Sequence, residues 1–310
     1  MKALLTFTTL VILLRMSTSS AEQIEYPGSA DALPHDRFVN VVSTAQSPVM
    51  QTWIASRDGL YIASAIRRPT GEGPFPAIVI FHGAPGGRGM EQLVGWSRGD
   101  HGGPVWERYL REGYVVVVAD YRGGDWNTVN VPSDTLVTAI DDGVAVVEHV
   151  AALSYVDADR ISVYGVSLGG NLALFLASQL PTLRAVVAGA PAPFWFLGER
   201  APFGADSDAP GGSTAAQIAA ANIAPIDVPI LIQVGSADPL LEIDHELYRR
   251  LRSAGKSVRM EIYEHGYHDF VLGPQGQERP DLAEGEKLMQ GTLDALERSV
   301  DFIAQYSSGR

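Results

Sequence analysis

Apolar and polar residues alternate along this chain in two rhythms. Leu60–Pro69 (LYIASAIRRP) alternates with a period of two and predicts an early antiparallel strand. Pro76–Gly83 (PAIVIFHG) and Tyr114–Gly123 (YVVVVADYRG) are unbroken apolar runs, as expected of strands covered on both faces. Between them Pro104–Gly113 reads as a helix with a glycine stop. Leu136, Ile140, Val144, Val147 and Val150 recur at steps of three and four, so Ser133–Leu153 predicts a helix laying one face on a sheet. The strand Ile161–Gly165, the helix Leu168–Leu180 and the strand Arg184–Ala190 follow, and then a less regular stretch from about Pro191 to Pro225. The alternation resumes with the strand Val228–Gly235, the helix Leu240–Gly255 and the strand Ser257–Gly266. A closing helix carries the stripe Met289, Leu293, Leu296, Val300 and Ile303. Strands alternating with helices predict one α/β domain around a mostly parallel sheet, helices on both faces.

The first residues stand outside this pattern. Met1–Leu14 has one lysine ahead of a short apolar run, Arg15 ends it, and Ser17–Ala21 supplies small residues before Glu22. This reads as a signal peptide over residues 1–21, with residues 22–310 as the exported, secreted or periplasmic domain. The run is shorter than the roughly 20 residues a bilayer span needs, so no stable membrane insertion is expected after cleavage.

Composition narrows the chemistry. A net charge of −13 repels phosphate backbones, and nucleic acid is excluded as an expected partner. The chain has no cysteine, which removes disulfides, thiolate metal sites and a cysteine nucleophile. No cofactor is implied.

Gly165, Ser167 and Gly169 fit G-x-S-x-G, a pattern that has meaning only between a strand and a helix, where a sharp turn presents the serine. Both neighbours are predicted here. A serine hydroxyl needs a base to take its proton and a carboxylate to orient that base. Asp238 follows one later strand and His268 the next, in the order Ser, acid, His. His265 is an alternative base, and a metal on His265 and His268 has too few ligands in sequence to be expected. An oxyanion would need two backbone N–H groups: that of Leu168, and that of Ala84, or failing it Gly83, in the loop His82–Gly87.

These segments together, FPAIVIFHGAPGG, VVVADYRGG, VDADRISVYGVSLGG, GSADP and EHGYHDF, resemble in order those of an α/β-hydrolase of the dienelactone hydrolase and prolyl-oligopeptidase-like group. The resemblance covers the chain from about residue 50. It implies the α/β-hydrolase fold, Ser167, Asp238 and His268 as a triad, and Ala84 and Leu168 as oxyanion donors. Dienelactone hydrolases use a cysteine where Ser167 stands, so their substrate does not carry over. Oligopeptidases of the group have an amino-terminal propeller, whereas this sequence has a short lead, so the expectation is a small-molecule ester, with a short peptide as the alternative. A catalytically silent binding protein of the same fold is the other alternative. Arg122 could meet a substrate anion or bond neighbouring loops. Phe194, Trp195, Phe196 and Phe203 in 191–225 could form a cap that lines an acyl pocket, or pack in the core.

Overall fold

The computed structural model describes residues 41–43, 48–84, 86–98, 105–122, 133–199, 214–264, 266–268, 270–272 and 282–307. The signal peptide expected over 1–21, His265 and Phe203 lie outside them. Among the described residues a 9-stranded sheet runs in the order β1-β2-β3-β5-β4-β6-β7-β8-β9. The strands are β1 (Val41–Ser43), β2 (Pro48–Ala55), β3 (Tyr61–Arg67), β4 (Phe75–Phe81), β5 (Val115–Ala119), β6 (Val156–Val166), β7 (Val186–Gly189), β8 (Ile230–Gly235) and β9 (Val258–Tyr263). β1, β2 and β3 form an antiparallel ribbon that joins β5 antiparallel. From β5 through β4, β6, β7 and β8 to β9 every pairing is parallel. This is an α/β-hydrolase fold.

The solid apolar strands divide their side chains between two faces, as the period of two demands. Val115, Val117 and Ala119 enter one core with Val79, Phe81 and Val163. Val116 and Val118 enter the other with Ile78, Ile80 and Tyr164. The first core is closed by α3 (Ser133–Ala152), α4 (Leu168–Gln179) and α7 (Leu241–Ser253) through Val144, Val147, Leu172, Leu176, Leu247 and Leu251. The second is closed by α1 (Gly89–Arg98), α2 (Val105–Arg111) and α8 (Leu282–Ser307) through Leu93, Val94, Tyr109, Leu296 and Val300.

Strand order reverses direction at β4. The chain steps from β4 to β5 on one side, then crosses to β6 on the other. Connections leaving in opposite directions open a crevice at the carboxyl ends of the two central strands, where ligands of open α/β sheets bind. The loops after β4 and β6 flank that crevice, and the loops after β7, β8 and β9 follow along the same edge.

Five elements go beyond the hydropathy reading. β1 and β2 precede the first strand that the alternation predicts, and α1 sits where no helix is predicted. The irregular stretch after β7 contains α5 (Phe194–Leu197) and α6 (Ala215–Ile223). The second is opened by a capping box, in which Thr214 and Gln217 each satisfy the other's backbone N–H.

Candidate active site

β6 ends at Val166, α4 begins at Leu168, and Ser167 makes the whole turn between them with φ 54° and ψ −118°. A non-glycine residue held there carries strain of about 1–3 kcal/mol, which the surrounding structure must hold in place. Here the Ser167 N–H donates to the Gly189 carbonyl at the end of β7, 2.9 Å away. The glycines on either side of the serine have no room for a side chain. A Cβ on Gly165 would lie 2.0 Å from the Gly169 carbonyl oxygen, and one on Gly169 would lie 2.3 Å from the carbonyl oxygen of Phe81 and 2.4 Å from that of His82. The start of α4 is thereby pressed onto the end of β4.

The loops after β8 and β9 deliver the partners. Ser167 Oγ lies 2.8 Å from His268 Nε2, and His268 Nδ1 lies 2.9 Å from Asp238 Oδ2. Because Nδ1 faces a carboxylate it donates, which leaves Nε2 as the acceptor of the serine proton. The other Asp238 oxygen accepts the Leu240 N–H at 2.8 Å. The Asp238 side chain is fully covered, whereas that of His268 is 31% exposed. The two loops share a backbone seam: a Cβ on Gly235 would lie 2.0 Å from the Gly266 carbonyl oxygen, which instead accepts the Ala237 N–H at 2.9 Å. The structure therefore brings together Ser167, Asp238 and His268 from three loops.

Leu168 is the first residue of α4, so its N–H is among those with no partner inside the helix. Ala84 stands in the loop after β4, and its neighbour Gly83 approaches the serine so closely that a Cβ there would lie 3.3 Å from Ser167 Cβ. That loop is tied to a second buried pair. Phe81 and Ala119 are register partners, so the residues that follow them, His82 and Asp120, emerge side by side. His82 Nε2 lies 3.1 Å from Asp120 Oδ1, and His82 Nδ1 lies 2.7 Å from the Gly83 carbonyl oxygen. Asp120 also accepts the N–H groups of Gly87, Gly89 and Tyr121 at 2.8, 2.9 and 2.8 Å. Burial alone would push its carboxyl up; the His82 ring and the Gly89 and Tyr121 amides outweigh that and hold it below the usual carboxylate range. Tyr121 stacks on the His82 ring at 4.7 Å and its hydroxyl donates to the His82 carbonyl at 2.8 Å. The sequence reading missed this pair, although a polar residue directly after each of two adjacent apolar strands was a visible signal.

Arg122 does not face a substrate anion. Its guanidinium is committed to Asp142, Asp58 and Ser56, and its N–H also donates to Asp142, tying the β2–β3 turn to α3. The expectation of a substrate contact is corrected by that geometry: three oxygen-bearing side chains already satisfy the cation. The aromatic segment divides. Phe196 is core, edge-on to Phe175 of α4 at 5.2 Å. Phe194 joins Ala192, Leu240 and Ile243 in a small separate cluster, linked through Leu240 to the Asp238 carboxylate. Trp195 is half-buried against the main core.

One further acid lies close by. Asp244 on α7 is completely covered, and neither of its oxygens has a hydrogen-bond partner among the described residues. Burial pushes its carboxyl well above the usual carboxylate range, and the charge of Asp238 adds to the effect. Between the unfolded and the raised folded value, the folded chain holds a proton that the unfolded chain has released, so stability falls as pH rises through that window. Asp244→Asn removes this dependence. It should melt higher than the unaltered protein at neutral pH, by ~2 °C or more, with the gap closing as the pH is lowered toward 4. Melting curves across pH check this, and a gap that does not change with pH refutes it.

Nucleophile elbows of this kind, served by an acid and a histidine on later loops, belong to serine hydrolases with the α/β-hydrolase fold, and the chain is one of them. It belongs to the prolyl oligopeptidase family, whose match spans residues 105–286. Among characterised relatives, the quorum-quenching protein AidA of Acinetobacter baumannii (strain MDR-ZJ06) is 31% identical over 125 residues, 40% of this chain and 38% of that protein. An ethyl acetate hydrolase of Pseudomonas putida is 27% identical over 251 residues, 70% of this chain and 74% of that protein. Among solved structures, a putative dienelactone hydrolase from Klebsiella pneumoniae subsp. pneumoniae MGH 78578 superposes with a TM-score of 0.59 at 18% identity, covering 86% of this chain and all of that one.

Proposed function

We propose that the protein is an exported serine esterase that hydrolyses carboxylic esters through an acyl-enzyme on Ser167. The hydrogen-bonded chain from Ser167 through His268 to Asp238 carries the reading. In the first half-reaction Ser167 Oγ attacks the ester carbonyl carbon while its proton passes to His268 Nε2. Asp238 stabilises the imidazolium through the Nδ1–H bond. The carbonyl oxygen becomes an oxyanion within reach of the Ala84 and Leu168 N–H groups. Collapse of the tetrahedral adduct breaks the carbon–oxygen bond to the alcohol, which leaves with the proton from His268. Water then attacks the acyl-enzyme, its proton passing to the same nitrogen. The second adduct collapses to free acid, returning that proton to Ser167.

Ester specificity is supported by the ethyl acetate hydrolase relative and by the chemistry of the leaving group. An alcohol is expelled without the tight registration that a departing amine nitrogen requires against the histidine. Peptide cleavage is the second reading, favoured by the family itself.

Matched acetyl esters and amides separate the two. Esters should exceed amides by ~100-fold or more in kcat/KM, about 2.7 kcal/mol of barrier. Aminoacyl or prolyl amides turned over as fast as the esters would transfer the assignment to peptidase. A fluorophosphonate probe should add to Ser167, and the intact mass of the labelled, exported protein should place its start near Glu22. An unlabelled protein points to the silent binding alternative, and a full-length labelled one removes export.

A further inference from the structure

We infer that the buried His82–Asp120 pair is a positioning device for one of the two oxyanion donors, acting through the Gly83–Ala84 peptide. The inference rests on the hydrolase roles proposed for Ser167 and the Ala84 N–H.

The atoms facing the His82 ring are a carbonyl oxygen and a carboxylate oxygen, both acceptors. The Gly83 carbonyl can only accept, so Nδ1 donates to it, and the ring bridges that carbonyl and Asp120. A trans peptide is planar, with its C=O and N–H pointing in opposite directions. Pinning the Gly83 oxygen to Nδ1 thus fixes the direction of the Ala84 N–H. The anchor is itself rigid. Asp120 holds the far end of the same loop through the Gly87 and Gly89 N–H groups, and Tyr121 holds the His82 backbone and stacks on its ring.

A donor aimed at the oxyanion position does little for the ground-state carbonyl, so loss of aim should lower kcat and leave KM nearly alone. Two variants separate the ring nitrogens. His82→Gln carries its amide nitrogen near the Nε2 position, keeping a donor for Asp120 and losing the one to Gly83. His82→Asn carries it near Nδ1 and keeps the donor to Gly83. On an acetyl ester, H82Q should lower kcat ~10–100-fold and weaken a trifluoromethyl ketone, which forms an oxyanion adduct on the serine, by a similar factor. KM should stay within about twofold, and H82N should retain at least ~5-fold more kcat than H82Q.

An H82Q kcat within about twofold of the unaltered enzyme, a loss carried by KM, or equal losses in the two variants overturns the inference. If H82Q does not fold, the unaltered protein decides. Labelled with nitrogen-15 at histidine, it should show a proton on Nδ1 of His82, and an Nδ1 without one overturns the inference. Fluorophosphonate labelling keeps the two failures apart. Unaltered protein that labels at Ser167 while H82Q keeps full turnover removes only this inference. Unaltered protein that does not label removes the roles beneath it.

Discussion

Ser167→Ala should lower ester turnover by ~10⁴–10⁶-fold, and His268→Ala by a similar factor, while the double variant loses little more. The geometry gives the reason. Serine, imidazole and carboxylate form one chain of hydrogen bonds at 2.8 and 2.9 Å, and removal of either the serine or the imidazole leaves the other without its task. What would remain are the proposed Ala84 and Leu168 donors, which would stabilise a developing oxyanion even with water as the attacking group. Substrate affinity should persist, because nothing in the chain of three is needed to hold an ester's acyl group. Steady-state kinetics on active-site-titrated enzyme check both statements. Losses that multiply in the double variant would show that Ser167 and His268 act independently. Near-normal turnover in Ser167→Ala would remove the acyl-enzyme altogether.

Gly169→Ala should cost roughly 3 kcal/mol of stability or more, a severe effect for one methyl group. That methyl would stand 2.3 and 2.4 Å from two carbonyl oxygens, those of Phe81 and His82, which belong to the buried end of β4 and the residue after it. Neither can rotate aside as a side chain would. α4 must retreat, taking Ser167 with it, and a shift of ~1 Å at the nucleophile is enough to cost ~100-fold in rate. Gly291→Ala is the contrast. It lies within α8 with no atom within 4 Å of a built Cβ, so relief of helix glycine should stabilise by ~0.5–1 kcal/mol. Chemical denaturation reads both, and a Gly169→Ala protein as stable as the parent would mean that the elbow is looser than described.

The parallel core was legible because its strands are covered on both sides: a run such as Val115–Ala119 has no polar face to disguise it. The elbow was legible for a related reason, since its glycines answer to backbone crowding that no other residue relieves. β2 was missed because its contacts are mixed. Thr52 is buried while Trp53 is only half-buried, so the strand lacks a clean alternation. α1 buries Leu93 and Val94 in the core and half-covers Met90 and Trp96, a short stripe broken by glycines that does not register. Arg122 was ambiguous because its partners lie 20 and 64 residues away, and only folding brings Asp142 and Asp58 to it. Asp244 gave no sign of itself either. An acid early in a helix looks like a favourable answer to the helix dipole, and only the packing shows it sealed from water.

The seam between Gly235 and Gly266 joins the loop of the acid to the loop of the base, backbone against backbone, with no side chain between them to give way. Acid and base are therefore carried on one packed backbone unit, and the serine, mounted on β6, on another. The alignment of imidazole with carboxylate is set within the first unit, and the 2.8 Å contact with the hydroxyl spans the two.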